Sequence, residues 1–173
     1  EGTHALMNHD GVATILATGG SAMVRAAYSC GKPALGVGPG NVPAYVHKEA
    51  KLKQAVNDIV LSKAFDNGMI CASEQAAIVD KELYDEFVKL MKSHRVHFVT
   101  KKEKTLLENL LFGVEANSKN CSGAKLNSVI VGKPATEIAK LAGFEVPKGT
   151  VILAAECSEV GEKEPLTREK LSP

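Results

Sequence analysis

The feature that most constrains this chain is an apolar run that stops at a glycine pair and restarts as a helix. Val12-Ala13-Thr14-Ile15-Leu16-Ala17 is short, apolar and partly β-branched, the pattern of a buried parallel strand. Thr18-Gly19-Gly20-Ser21 breaks it, and Ala22 to Ser29 reads as a helix whose small residues pack close on a sheet. Gly31-Lys32-Pro33 stops that helix, and Ala34-Leu35-Gly36-Val37 begins the next strand. Strand, glycine turn, helix and strand make one right-handed βαβ unit, the building block of a doubly wound α/β sheet.

The same alternation continues downstream. Gly36-Val37-Gly38-Pro39-Gly40-Asn41 is rich in glycine but leads into an extended segment, Val42 to Val46, rather than a helix. A helix over 50–62 places Leu52, Ala55, Val56, Ile59 and Val60 on one face. After a polar loop, Ala76 to Val79 reads as a strand, and a helix over 81–93 buries Tyr84, Phe87, Val88 and Met91. Val96 to Val99 is a short strand, and a helix over 102–112 carries Leu106, Leu107, Leu110 and Leu111. Val114 to Asn127 is polar and small, a loop. Val129 to Val131 reads as a strand, Pro134 opens a helix over 135–142, and Gly143 ends it. Val151 to Ala155 is a further strand, followed by a charged loop from Glu156 to Lys163.

Bulk properties exclude several classes. With 21 basic and 20 acidic residues among 173, the chain has no electrostatic reason to seek nucleic acid or an anionic membrane. No apolar run is long enough to span a bilayer. The start, Glu1-Gly2-Thr3-His4, is neither a signal nor a transit peptide, and without an initiator methionine an upstream segment is expected. Cys30, Cys71, Cys121 and Cys157 are far apart with no C-x-x-C pairing, which argues against disulfides or zinc and fits a reducing cytoplasm. Asn120-Cys121-Ser122 matches a glycosylation acceptor only formally. His94 and His97 fall where a helix gives way to a strand with no carboxylate joining them in sequence, so no metal is expected.

Two stretches carry chemistry. Thr18-Gly19-Gly20-Ser21 sits at a strand's carboxyl end and a helix's start, where free N–H groups and the helix dipole attract phosphate. A packing turn reads equally well there, and the G-x-G-x-x-G fingerprint is missing. In Phe65-Asp66-Asn67-Gly68-Met69-Ile70-Cys71-Ala72-Ser73-Glu74-Gln75, a cysteine ends a polar loop just before a strand. Loop-to-strand junctions are usual places for groups that meet a substrate, although most free cysteines are structural. Gly68 frees the backbone to turn beside the thiol, and Asn67 offers hydrogen bonds there.

Phe65-x-x-Gly68-x-x-Cys71 resembles the nucleophile loop of the aldehyde dehydrogenase superfamily, and Ile78 to Val88 resembles the strand and helix that follow it there. The fuller string Phe65 to Gln75 is similar to the CoA-acylating branch. Within that branch it is most similar to the group whose aldehyde dehydrogenase half is joined to an alcohol dehydrogenase half. The resemblance runs nearly end to end. It implies part of a Rossmann-like cofactor domain over residues 1–40, running into an α/β catalytic domain over 41–173. It also implies NAD as cofactor, with Thr18, Gly19 and Gly20 at its pyrophosphate. Glu169, in the terminal Glu-x-x-x-Pro segment, would then hold the nicotinamide ribose, a position otherwise read as a surface carboxylate.

Cys71 would be the nucleophile, coenzyme A the co-substrate, and a small aldehyde or acyl-CoA the substrate, as in ethanol fermentation. A homo-oligomer or filament would form through segments absent here, as are the family's first cofactor strands and its side-chain oxyanion donor. Gly36 falls where hydrolytic members carry the glutamate that activates water. A hydrolytic aldehyde dehydrogenase and a non-catalytic assembly domain stay open as alternatives.

Overall fold

A computed structural model describes residues 1–113, 125–161 and 164–173. The chain forms two compact units, Glu1–Gly40 and Asn41–Pro173.

In the first unit, helix α1 (Gly2–Asn8) precedes strand β1 (Ile15–Thr18), helix α2 (Ser21–Ser29) and strand β2 (Ala34–Val37). β1 and β2 pair in parallel, Ile15 opposite Ala34 and Thr18 opposite Val37, with α2 as the crossover. β1 was expected to start at Val12 and to be buried throughout. Instead Ile15 and Ala17 are buried while Leu16 and Thr18 are exposed, so one face of this small sheet is open. Ile15, Ala17, Ala27 and Met7 form its core. α1 has no counterpart in the sequence reading, because its polar composition offers only Met7 to the interior.

The second unit runs β3 (Val42–Val46), α3 (Leu52–Ala64), β4 (Glu74–Val79), α4 (Tyr84–Ser93), β5 (Val96–Phe98), α5 (Lys101–Phe112), α6 (Ala135–Ala142) and β6 (Ile152–Ala154). β3 pairs in parallel with β4, and β5 in parallel with β6. α3 lays Leu52, Val56 and Val60 on a core shared with Phe87 and Met91 of α4 and with Val96 and Ile152. A second core joins Leu107, Leu111 and Phe112 of α5 to Ile138 of α6, Ile130 and Leu166. Thr100 caps α5 in a reciprocal pair with Glu103: Glu103 N–H donates to Thr100 Oγ1, and the Thr100 N–H donates to the Glu103 carboxylate.

One expected strand is absent. Ser128–Ile130 is a 3-10 turn, not part of a strand over 129–131. The Asn127 side chain accepts the Val129 N–H at 3.0 Å, and Gly132 turns the chain at φ 70° immediately afterwards. A local side-chain bond has here outcompeted the β preference of Val-Ile-Val. The loop expected over Val114 to Asn127 lies outside the described residues as far as 124, and with it Asn120-Cys121-Ser122. Residues 162–163 at the end of the charged loop lie outside them too. No helix among the described residues is long and apolar enough to cross a membrane, and they hold no metal-binding cluster.

Candidate active site

The segment from α3 to β4 reverses through an unusual turn. Asp66, Asn67 and Gly68 follow one another in the left-handed region, at φ 49°, 50° and 67°. Aspartate, asparagine and glycine are the residue types that enter this region most readily. Asn67 Nδ2 donates to the Gly132 carbonyl at 2.9 Å, so its amide fixes the turn rather than serving the thiol directly. Gly68 is buried, and a Cβ there would lie 2.6 Å from the carbonyl carbon and oxygen of Ser172. The motif glycine is therefore needed twice, for its backbone angle and for close contact with another stretch of backbone.

Cys71 stands on the tight turn after Gly68 and is exposed. The turn closes with the Ser73 N–H donating to Ile70 O at 3.0 Å. Buried Ser73 donates its hydroxyl back to Gly68 O, and buried Gln75 donates to Ser73 O. An exposed thiol thus stands on a base of buried polar groups. The Cys71 N–H donates to no acceptor among the described residues.

The segment carrying Glu169 packs against this same base. Lys170 N–H donates to Gln75 Oε1 at 3.1 Å, and Lys170 Nζ donates to Gln75 O at 3.1 Å. Gly132 N–H donates to Leu171 O, which links the terminal segment to the turn that receives Asn67. Asn41, whose role the sequence left open, donates to Thr167 O at 2.8 Å. Cys71 and Glu169, nearly a hundred residues apart in sequence, are therefore brought onto adjoining segments.

Two lysines beneath them were not singled out from sequence. Lys63 is buried and its Nζ has no hydrogen-bond partner among the described residues. Burial pushes it down to about 8, although Glu74 and Glu169 act to raise it. Burial and the charge of Lys63 act to lower Lys170, while three backbone carbonyls accept from its ammonium and favour the charged form. An apolar face interrupted by a lysine in the last turn of α3 was the only sequence sign of Lys63. Both lysines line a cavity of about 570 Å³. Consecutive residues of β4 and β6, of both parities, border that cavity together with side chains of α3, α4, α5 and α6. Cys71 is not in its lining.

Thr18, Gly19 and Gly20 belong to the first unit and form the β1–α2 turn. Gly20 is the N-cap of α2, whose first turn has no side-chain cap and no acidic residue. Nothing lies within 4 Å of a Cβ built on Gly20. Gly36 lies on β2 beneath α2. A Cβ there would sit 2.5 Å from Val24 Cγ1 and 2.9 Å from the Tyr28 ring, while its N–H donates to Tyr28 OH at 2.9 Å. This packing leaves no room for a carboxylate side chain at position 36.

Fold and motif together define the class. The chain belongs to the aldehyde dehydrogenase family, whose sequence model it matches over residues 1–113. It is 75% identical over all 173 residues to the aldehyde-alcohol dehydrogenase of Streptococcus pneumoniae serotype 4 (strain ATCC BAA-334 / TIGR4), covering 20% of that relative. It is 45% identical, with a TM-score of 0.85, to the solved acetylating aldehyde dehydrogenase from Geobacillus thermoglucosidasius, covering 99% of this chain and 36% of that one. A Rhodopseudomonas palustris propionaldehyde dehydrogenase, solved with bound CoA and an acylated cysteine, is 28% identical with a TM-score of 0.79, over 99% of this chain and 37% of that one. The chain thus spans about a fifth of the curated relative and little more than a third of the solved structures.

Proposed function

We propose that this chain is the nucleophile-bearing part of an NAD-dependent, CoA-acylating aldehyde dehydrogenase working between acetaldehyde and acetyl-CoA, within a bifunctional aldehyde-alcohol dehydrogenase. The observation that carries the reading is Cys71, exposed on a turn held rigidly by buried neighbours and adjoined by the Glu169 segment. The names of the similar proteins, acetylating and aldehyde-alcohol dehydrogenases, support the same reading.

Cys71 as thiolate adds to the aldehyde carbonyl carbon, forming a C–S bond and an alkoxide. Its N–H, which donates to no acceptor among the described residues, would help hold the developing negative charge. Bound NAD would supply the acceptor for the hydride that leaves this carbon. What remains on Sγ is a thioester. The thiolate of coenzyme A attacks that thioester, its C–S bond to Cys71 breaks, and acyl-CoA departs as Cys71 returns to thiolate. Glu169 holds the nicotinamide ribose and transfers no proton. Thr18, Gly19 and Gly20 take the pyrophosphate at the first turn of α2.

Gly36 decides the acceptor. With no carboxylate at this position, water near the thioester lacks a general base worth ~10²–10⁴-fold. A thiol, partly ionised near neutral pH, needs less help. The test is product analysis of the full-length protein with aldehyde and NAD, with and without coenzyme A. Acyl-CoA formed only when coenzyme A is present supports the reading; rapid free acid without it favours a hydrolytic enzyme.

A further inference from the structure

The residue beside Glu169 is held in a way its charge alone does not explain. Lys170 Nζ donates to three carbonyl oxygens, of Gln75 at 3.1 Å, Leu166 at 2.7 Å and Arg168 at 2.8 Å. An ammonium carries three N–H donors, so these bonds saturate it. The backbone N–H of the same residue donates to Gln75 Oε1. Two of the four bonds from this residue reach Gln75 and join two stretches of chain, the other two stay within the terminal segment, and all three ammonium acceptors are backbone.

The shape they hold is one the chain would not choose. Leu171 sits at φ 48°, in the left-handed region, which costs a residue with a bulky side chain ~1–3 kcal/mol and persists only where its surroundings fix it. Lys170 fixes it on one side, and the bond from the Gly132 N–H to Leu171 O fixes it on the other. Gln75, the partner of Lys170, lies four residues after Cys71 and donates to Ser73 O at the base of the thiol turn.

We propose that Lys170 is a positioning residue: its ammonium staples the Glu169 turn to the strand leaving Cys71, and so sets where the Glu169 carboxylate stands relative to the thiol. This rests on the reading of Cys71 as nucleophile and Glu169 as the carboxylate that holds the ribose. It assigns to Lys170 no contact with substrate or cofactor. Lysine suits the role because a compact ammonium can meet three converging carbonyls, which a planar guanidinium cannot.

The test uses the full-length enzyme and the variant Lys170→Met. The single-turnover rate of NADH formation is measured with saturating NAD and divided by the Cys71 sites counted through iodoacetamide alkylation. Misplacement by about 1 Å costs ~10²-fold, so the rate per labelled site should fall by that order while Cys71 alkylates at its wild-type rate. A role confined to stability would instead lower the melting temperature and leave the rate per labelled site unchanged, which overturns the proposal. If Lys170→Met does not accumulate as folded enzyme, Lys170→Arg carries the test. A fall of ~10-fold or more per site supports the staple, and a wild-type rate overturns it. A wild-type enzyme that forms no thioester on Cys71 with aldehyde and NAD overturns the functional reading, and the proposal with it. An active wild type with an unimpaired variant overturns the staple alone.

Discussion

Gly68→Ala tests the geometry beneath Cys71. Gly68 has φ 67°, and an added Cβ would meet Ser172 C and O at 2.6 Å and Pro173 N at 2.9 Å. All three atoms are backbone, so no flexible side chain can yield. The left-handed angle costs an L-residue ~1–2 kcal/mol. The overpacking adds ~1–3 kcal/mol. Gly143, which ends α6 at φ 90°, is the control, because nothing lies within 4 Å of a Cβ placed there. Gly143→Ala should therefore cost only the angle, ~1–2 kcal/mol. Urea unfolding followed by circular dichroism should place Gly68→Ala below Gly143→Ala by ~1–3 kcal/mol, the clash alone. Equal losses for the two variants would refute the argument that Gly68 is required by contact with the Ser172 backbone.

Three further outcomes follow from particular residues. Gly36→Ala should destabilise the first unit by ~1–3 kcal/mol through contact with Val24 and Tyr28, read as a lowered melting temperature; an unchanged one would show that α2 shifts freely off β2. Iodoacetamide should label Cys71 ahead of Cys157, an exposed residue whose thiol is nonetheless pushed up to about 11 by burial of its sulfur and by Glu164, and ahead of half-buried Cys30, whose thiol donates to Ala27 O. Peptide mapping that found Cys157 labelled as fast as Cys71 would contradict this. Between pH 8 and 9 stability should rise with pH: Lys63, with no hydrogen-bond partner among the described residues, falls from 10.5 to about 8 on folding, so the unfolded chain holds more protons in that window. Cys157 acts oppositely, but only above its unperturbed value of 9.0. A urea midpoint that stayed flat across the window would show that Lys63 is solvated.

Much of the fold was legible because its signals are local. Strand 34–37, the extended segment 42–46 and helix 135–142 appear with the boundaries that β-branched runs, Pro134 and Gly143 imply. Gly143 ends its helix in the left-handed conformation that only glycine takes readily. The capping pair of Thr100 and Glu103, which the sequence reading did not use, starts α5 at Lys101, one residue before the helix expected over 102–112. Ser128–Ile130 failed because one asparagine side chain outweighed three β-formers.

At the candidate site, the cysteine loop could be seen in Phe65 to Cys71, and Asp66-Asn67-Gly68 carried the composition of a left-handed turn. Lys170 could not be seen. Its partner Gln75 lies 95 residues away, and the acceptors of its ammonium are backbone carbonyls, which every residue has. Nothing in a lysine's neighbours along the chain reports such a bond.

The account stands or falls on where the acyl group resides. Full-length enzyme mixed with acetaldehyde and NAD, without coenzyme A, should be quenched in acid, digested and mapped by mass spectrometry. An acetyl group on the Cys71 peptide is predicted, discharged as acetyl-CoA when coenzyme A is added before the quench. No adduct at Cys71, or an adduct on Cys30, Cys121 or Cys157 that coenzyme A discharges, would contradict it.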